Sequence, residues 1–226
     1  MEFLLDTIHL ADIKKYSAIL PISGVTSNPS IVKKEGKVDF FKHMRQVRSI
    51  IGPKATLHIQ VVGQSTAEMI EDAHTILREV DDQVYIKVPT NEAGLAAIKQ
   101  LKSEGVHITA TAIYTKFQGY LAIAAGADYL APYYNRMVNM NINADEVISE
   151  LALAIQRDHA ATKILAASFH TVQQVNSAFE MGAQAATMGT DILETALTAP
   201  AIGQAVTDFT NDWESVYGKE TTISSL

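Results

Sequence analysis

Short apolar runs alternate with longer segments of helical period along the whole chain. Eight of the runs read as strands: Phe3–Asp6, Gly24–Asn28, Leu57–Val62, Val84–Pro89, His107–Ile113, Tyr129–Tyr133, Lys163–Phe169 and Ala185–Gly189. Between them, apolar residues recur every three or four positions. Met69, Ala73, Ile76, Leu77 and Val80 share one face of Ser65–Val80, and Leu95, Ile98 and Leu101 share one of Glu92–Glu104. Leu151 and Ile155 do the same within Ala144–Asp158. Ser65 with Glu68, Asn91 and Thr171 supply helix starts, and Gly105, Gly126 and Gly182 supply stops.

Eight strand–helix units with no linker rich in Pro, Gly or Ser predict an α/β fold, a single (β/α)8 barrel over residues 1–199. The competing fold, a doubly wound open sheet, usually carries a Gly-rich dinucleotide turn, and no G-x-G-x-x-G occurs. An extra C-terminal helix is predicted over 200–218. Pro200 stands in its first turn, and Ile202, Val206, Phe209, Trp213 and Val216 form a stripe that needs cover from the barrel's flank or from a neighbouring subunit. Residues 219–226 read as a polar, frayed tail.

Composition narrows the function classes. Apolar residues make up 47% of the chain, enough for a large core. Eighteen Lys and Arg against 25 Asp and Glu leave a net charge of −7 and no basic block, which argues against nucleic acid. There is no cysteine, so disulfides, thiolate catalysis and Cys-bound zinc are excluded. The histidines form no ligand motif, so no metal and no cofactor is expected. No apolar run reaches membrane-spanning length, and the first residues lack the pattern of a signal peptide. The expectation is a cytoplasmic enzyme or small-molecule binder with no membrane partner.

Polar residues gather at the C-terminal ends of the predicted strands, where barrels of this class carry their chemistry. Alternation sets Leu4 with Asp6, Thr26 with Asn28, His58 with Gln60, Tyr85 with Lys87, Thr109 with Thr111, Ala131 with Tyr133, and Ala166 with Ser168. Lys87 interrupts an apolar strand. Burial would lower its pKa, and a neutral amine attacks carbonyls. The plainer alternatives are a lysine held by Asp6 or one reaching solvent at the rim. Arg136, just past strand six, and the helix start beyond Ser168 suit a phosphate. Lys33-Lys34-Glu35-Gly36-Lys37 reads as a solvated loop.

Seven stretches, in order, carry a family likeness: Asp6-Thr7, Gly24-Val25-Thr26-Ser27-Asn28-Pro29-Ser30, Ile86-Lys87-Val88-Pro89, Gly94-Leu95-Ala96-Ala97-Ile98, Thr111-Ala112-Ile113-Tyr114, Ala131-Pro132-Tyr133-Tyr134-Asn135-Arg136 and Ala166-Ala167-Ser168-Phe169. Over roughly residues 1–218 the chain resembles the small transaldolase-like family of class I aldolases, its fructose-6-phosphate aldolase branch in particular. That resemblance implies a metal-independent barrel enzyme with Lys87 as the Schiff-base residue. It also implies a homo-oligomer, a pentamer or decamer, with the C-terminal helix reaching onto a neighbour. The implied reaction is reversible cleavage of fructose 6-phosphate to dihydroxyacetone and glyceraldehyde 3-phosphate.

The resemblance implies roles as well. Asp6 takes the C4 hydroxyl proton; Asn28 and Thr109, with Thr26 in the same substrate-binding set, hold the dihydroxyacetone unit beside the small Ala131. Tyr133, Gln60 and Thr111 position the water of Schiff-base formation and hydrolysis, while Arg136 and Ser168 hold the phosphate. Transaldolases of the family carry Glu at Gln60 and Phe at Tyr133, so both positions favour the aldolase. A transaldolase moving the dihydroxyacetone unit between sugar phosphates is the alternative, and a non-catalytic sugar-phosphate-binding barrel is a second. At His170 the family tends to carry Lys or Arg, so weaker phosphate binding is expected there.

Overall fold

All 226 residues are described by the computed structural model. The apolar runs form eight parallel strands that close into a barrel in the order β1 to β8, each paired with its sequence neighbours and β8 with β1. The elements are β1 (Glu2–Asp6), α1 (Leu10–Ile19), β2 (Ile22–Thr26), α2 (Pro29–Glu35), α3 (Phe40–Ile51), β3 (Thr56–Gln60), α4 (Thr66–Glu79), β4 (Tyr85–Pro89), α5 (Glu92–Ser103) and β5 (Ile108–Ile113). They continue with α6 (Lys116–Ala124), β6 (Tyr129–Pro132), α7 (Tyr134–Asn139), α8 (Ala144–Arg157), β7 (Lys163–Ala166), α9 (Val172–Glu180), β8 (Ala185–Met188), α10 (Thr190–Leu197) and α11 (Pro200–Tyr217). The barrel predicted from the sequence is therefore the fold.

Two apolar layers hold it together. The larger lies between strands and helices, where Leu5, Val25, Ile59, Ile86, Ala110, Leu130 and Ile164 meet the helical stripes. The smaller fills the barrel interior with Leu4, Tyr129, Leu165 and Ala185 against Tyr85. Tyr85 stacks on His58 at 4.9 Å and on His107 at 4.7 Å, with Tyr129 edge-on at 5.3 Å. Below them Glu2 accepts hydrogen bonds from the Tyr129 hydroxyl (2.7 Å) and Lys163 Nζ (2.6 Å). This aromatic and ionic layer fills the N-terminal half of the barrel interior, and the cavity that Lys87 lines lies at the opposite end.

Local chemistry fixes the strand-to-helix turns. Ser65 and Glu68 form a reciprocal capping box at α4, and Asn91 and Thr171 cap α5 and α9. A Cβ on Gly94 would lie 1.8 Å from the Pro89 carbonyl oxygen. Only glycine lets α5 start this close to the end of β4, the strand that carries Lys87.

Several expectations are corrected. Strand β2 ends at Thr26, not Asn28, because Asn28 turns out to cap α2 by accepting from Ile31 N at 3.0 Å. The supposed loop at 33–35 is the last turn of α2, with Gly36 as its C-terminal stop. Strand β7 ends at Ala166 and has the opposite parity to the one expected: Leu165 points into the barrel and Ala166 into the outer layer. The tail contains a short 3-10 turn, Ile223–Ser225, where fraying was expected.

The C-terminal helix forms where its stripe predicted, but it does not lie on the barrel's flank. None of its residues is buried, and Phe209 and Val216 are each 71% exposed. The flank is thus ruled out as the cover for this face within one chain. No helix of the protein is long and apolar enough to cross a membrane.

Candidate active site

The C-terminal ends of the strands surround a cavity of about 360 Å3, within the range of small-molecule sites. Seven of the sequence-predicted residues line it: Asp6, Asn28, Gln60, Lys87, Tyr133, Arg136 and Ser168. They come from β1, β3 and β4, from the turns that follow β2, β6 and β7, and, for Arg136, from α7.

Lys87 sits on its floor, 3% exposed, with Nζ donating to the Ser27 carbonyl at 2.9 Å. Neither plain alternative holds, because the amine has no ion-pair partner and does not reach solvent. Burial pushes its pKa down from the ordinary lysine value, and the nearby Asp6 charge opposes that only in part. The acceptor is itself fixed, since Ser27 N and Oγ both donate to the His58 carbonyl, at 3.0 and 3.2 Å.

Asp6 is held from behind. Thr26 Oγ1 donates to Asp6 Oδ1 at 2.6 Å, so the second contact of Thr26, at 2.6 Å, must be accepted from the Thr187 hydroxyl. Thr26 is therefore under the carboxyl group and does not line the cavity. Tyr133 shares a 2.9 Å hydrogen bond with Thr111 Oγ1, and its ring carries the Arg136 guanidinium at 4.8 Å. Burial raises the Tyr133 pKa, while Thr111 and Arg136 pull the other way. The hydroxyl thus stays protonated at neutral pH and can act as an acid. Gln60 Oε1 is buried and makes no hydrogen bond within the protein, which leaves its lone pairs for a donor in the cavity. Asn28 spends its Oδ1 on the α2 cap, so it faces the cavity chiefly through its NH2.

Ser168 reaches the cavity by a route that alternation could not predict. Its φ of 61° is left-handed, and this single residue turns the chain so that both Ala167 and Ser168 line the wall. Ala112, with φ 57°, marks a similar irregularity in β5 beside Thr111.

Besides Thr26, four predicted residues lie elsewhere. Thr111 is one hydrogen bond behind Tyr133, Thr109 binds His58 at 2.8 Å beneath the floor, and Ala131 is buried off the lining. His170 is exposed and outside the cavity, its backbone N donating to Gln174 Oε1 at 2.7 Å. The expected phosphate position at His170 is thus not among the residues brought together.

Sequence reasoning missed Ser30 and Lys34, which line the same cavity from α2, and Thr187. The signal for the first two was present: they are four residues apart and share a helix face once 29–35 is read as helix. Lys34 has no carboxylate partner, because the adjacent Glu35 is taken by His9 at 3.2 Å. As β2 and β6 are four strands apart in the closed barrel, Lys34 and Arg136 face the cavity from opposite sides.

A buried amine whose charged form is disfavoured, beside a hydroxyl acid, a carboxyl group and two rim cations, can form an imine with a ketone and hold an anionic substrate. Comparison with known proteins gives the same direction. The sequence model of the family described as Transaldolase/Fructose-6-phosphate aldolase matches residues 3–222. A protein of Streptococcus pneumoniae named probable fructose-6-phosphate aldolase is 56% identical over 213 residues, covering 94% of this chain and 96% of that protein. The chain belongs to the transaldolase/fructose-6-phosphate aldolase family.

Proposed function

We propose that the protein is a Schiff-base aldolase that reversibly cleaves fructose 6-phosphate to dihydroxyacetone and glyceraldehyde 3-phosphate. The observation that carries this reading is Lys87: a buried lysine with a lowered pKa on the floor of a polar, ligand-sized cavity. Its neutral nitrogen attacks the C2 ketone of the open-chain sugar, and loss of water gives a cationic iminium. That cation takes up the electron pair of the C3–C4 bond as Asp6 accepts the C4 hydroxyl proton, and glyceraldehyde 3-phosphate leaves. Protonation of the enamine at C3, with Tyr133 as the acid directly or through water, restores the iminium. Hydrolysis then frees dihydroxyacetone and the amine. The iminium serves as electron sink, so the steps call for no metal or organic cofactor.

Reduction with borohydride in the presence of fructose 6-phosphate, followed by mass spectrometry, tests the reading. The expected adduct is a dihydroxyacetone-derived group on Lys87. No adduct would leave a sugar-phosphate-binding barrel in its place. Free dihydroxyacetone formed without any aldehyde acceptor marks the aldolase, whereas turnover only with erythrose 4-phosphate marks a transaldolase. Gln60 and Tyr133 favour the first.

The phosphate falls to Arg136 and Ser168, with Lys34 as the second cation. Lys34→Gln should raise KM for fructose 6-phosphate about 10-fold, roughly one charged hydrogen bond, with kcat little changed. His170→Gln should leave both constants within about twofold, the usual scale of exposed-charge effects. The reverse pattern would return the phosphate site to His170.

We also infer that α11 packs on a second copy of the chain. Its exposed apolar stripe of Ile202, Val206, Phe209 and Val216 supports this. Light scattering should report a homo-oligomer, a pentamer or decamer, and Phe209→Asp should shift it to smaller species. A monomeric wild type would overturn the inference.

A further inference from the structure

The passage from β6 into α7 delivers Tyr133 and Arg136 to the cavity, and it is strung between two strand ends that share one irregularity. In β5 Ala112 has φ 57°, and after β7 Ser168 has φ 61°, the left-handed region that non-glycine residues seldom occupy. The same residue types follow both at the same spacing. Three positions on, Thr115 and Thr171 cap α6 and α9 by accepting from Gln118 N and Gln174 N, both at 3.3 Å. Three further on stand Gln118 and Gln174 themselves. Each turns its Oε1 back onto the residue before the cap: Tyr114 N donates to Gln118 at 3.0 Å and His170 N to Gln174 at 2.7 Å.

The polarity of these partners fixes both amides. Backbone N–H groups hold each Oε1, so each Nε2 is left to donate. Gln118 Nε2 donates to the Thr90 carbonyl at 3.0 Å and to the Ala112 carbonyl at 3.3 Å. Thr90 in turn donates through N and Oγ1 to the Thr111 carbonyl, at 2.8 and 2.9 Å. The peptide groups on both sides of Ala112 are thus pinned. Tyr133 is gripped from either side of the same residue: its hydroxyl meets Thr111 Oγ1 at 2.9 Å, and its N donates to the Ile113 carbonyl at 3.0 Å. The register of β5 on β6 shifts between Ala110 and Ile113, so an Ala112 relaxed to extended φ would leave these two grips mismatched. On the other flank, the carbonyls of Ala167 and Ser168 accept from Tyr134 N and Asn135 N, both at 2.8 Å. Gln174 Nε2 donates to Asn135 Oδ1 at 2.9 Å.

We propose that Gln118 and Gln174 are positioning residues for Tyr133: their donating arms brace the two left-handed strand ends that hold the turn from β6 to α7, and so set the tyrosine hydroxyl where it acts as the acid. Neither side chain lines the cavity, so both act through the turn and not on the substrate. The two are not equivalent. The partners of Gln118 Nε2 are carbonyl oxygens, which only accept. The partner of Gln174 Nε2 is a side-chain amide, which can rotate and donate instead. The kinetic part rests on the aldolase reading, and the bracing of the turn does not.

Glutamate separates the two arms, because it keeps the acceptor that closes the helix start and loses the donor. Gln118→Glu should lower acceptor-free release of dihydroxyacetone about 10-fold, a misplacement effect, with KM for fructose 6-phosphate within about twofold. Transfer to erythrose 4-phosphate and borohydride trapping should stay within about twofold of the wild type. In a Tyr133→Phe background the same substitution should cost nothing further. Gln174→Met should show the same selective loss, and it covers the case in which Gln118→Glu does not fold. Gln174→Glu, whose carboxylate can accept from a rotated Asn135 amide, should recover most of that loss. Amide hydrogen exchange reads the bracing whatever the reaction is. Tyr133 N should exchange at least about 10-fold faster in Gln118→Glu, and Asn135 N in Gln174→Met, with β1 unchanged. Release and transfer falling together, effects that add to Tyr133→Phe, or unchanged exchange at both amides would overturn the proposal. A wild type that neither turns over nor traps would sink the aldolase reading alone and leave exchange to decide the bracing.

Discussion

Replacing Lys87 with methionine is expected to abolish both turnover and borohydride trapping while making the protein more stable. Methionine has nearly the length of lysine without its charge, so the floor of the cavity keeps its packing. Activity should fall by about 10^4-fold or more, because no other group on the lining can form an imine. Stability moves the other way for a physical reason. The fold opposes charging of Lys87, and only part of that opposition is relieved by Asp6. The folded pKa is depressed, so stability linked to this group is fully present above the unfolded pKa near 10.4 and falls as pH drops toward the folded value. At pH 7 methionine removes that cost, less the lost hydrogen bond to Ser27. The net gain is on the order of 1 kcal/mol, a rise in Tm of about 2–4 °C. The gain should shrink as the comparison is repeated toward pH 10. A variant that loses Tm at pH 7 would show that Lys87 is better solvated than its surroundings indicate, and retained turnover would remove the mechanism.

The same burial explains why so much of the molecule could be read from the chain. Strand identity rests on apolar runs, and a residue such as Lys87 stands out because every neighbour on its strand is apolar. Asp6, Gln60 and Tyr133 fall where period-two alternation aims them, at the mouth. The failures occur where alternation stops applying. In β7 Leu165 and Ala166 exchange places, since a run in which both faces are buried gives the pattern nothing to separate them. Ser168 then returns to the cavity only through its left-handed φ, which no periodicity encodes. Lys34 was lost for the opposite reason: a seven-residue helix is too short to show a stripe, and its charges resemble a loop. His170 follows Ser168 and Phe169 too closely to share their turn inward, and the chain carries it to the surface.

Tyr133→Phe is expected to separate the two chemistries open to this family's barrel. The hydroxyl is partly buried, hydrogen-bonded to Thr111 at 2.9 Å, and held protonated by its surroundings, so it is an acid available on the cavity lining. Without it the iminium still forms and C3–C4 cleavage still occurs, because those steps draw on Lys87 and Asp6. What slows is protonation and hydrolysis of the enamine left on Lys87. Acceptor-free release of dihydroxyacetone should fall about 10^2- to 10^3-fold, the ordinary contribution of a positioned acid. The waiting enamine is then available to an aldehyde, so transfer to erythrose 4-phosphate should fall far less, and borohydride trapping should remain. Gln60→Glu in the same background should sharpen the shift, since Gln60 Oε1 is the one buried acceptor on the lining with no partner in the protein. Above neutral pH the wild-type rate should rise as Lys87 sheds its proton, and the raised Tyr133 pKa keeps the acid in place over that rise. Release and transfer lost in equal measure in Tyr133→Phe would mean that the tyrosine shapes the cavity and moves no proton.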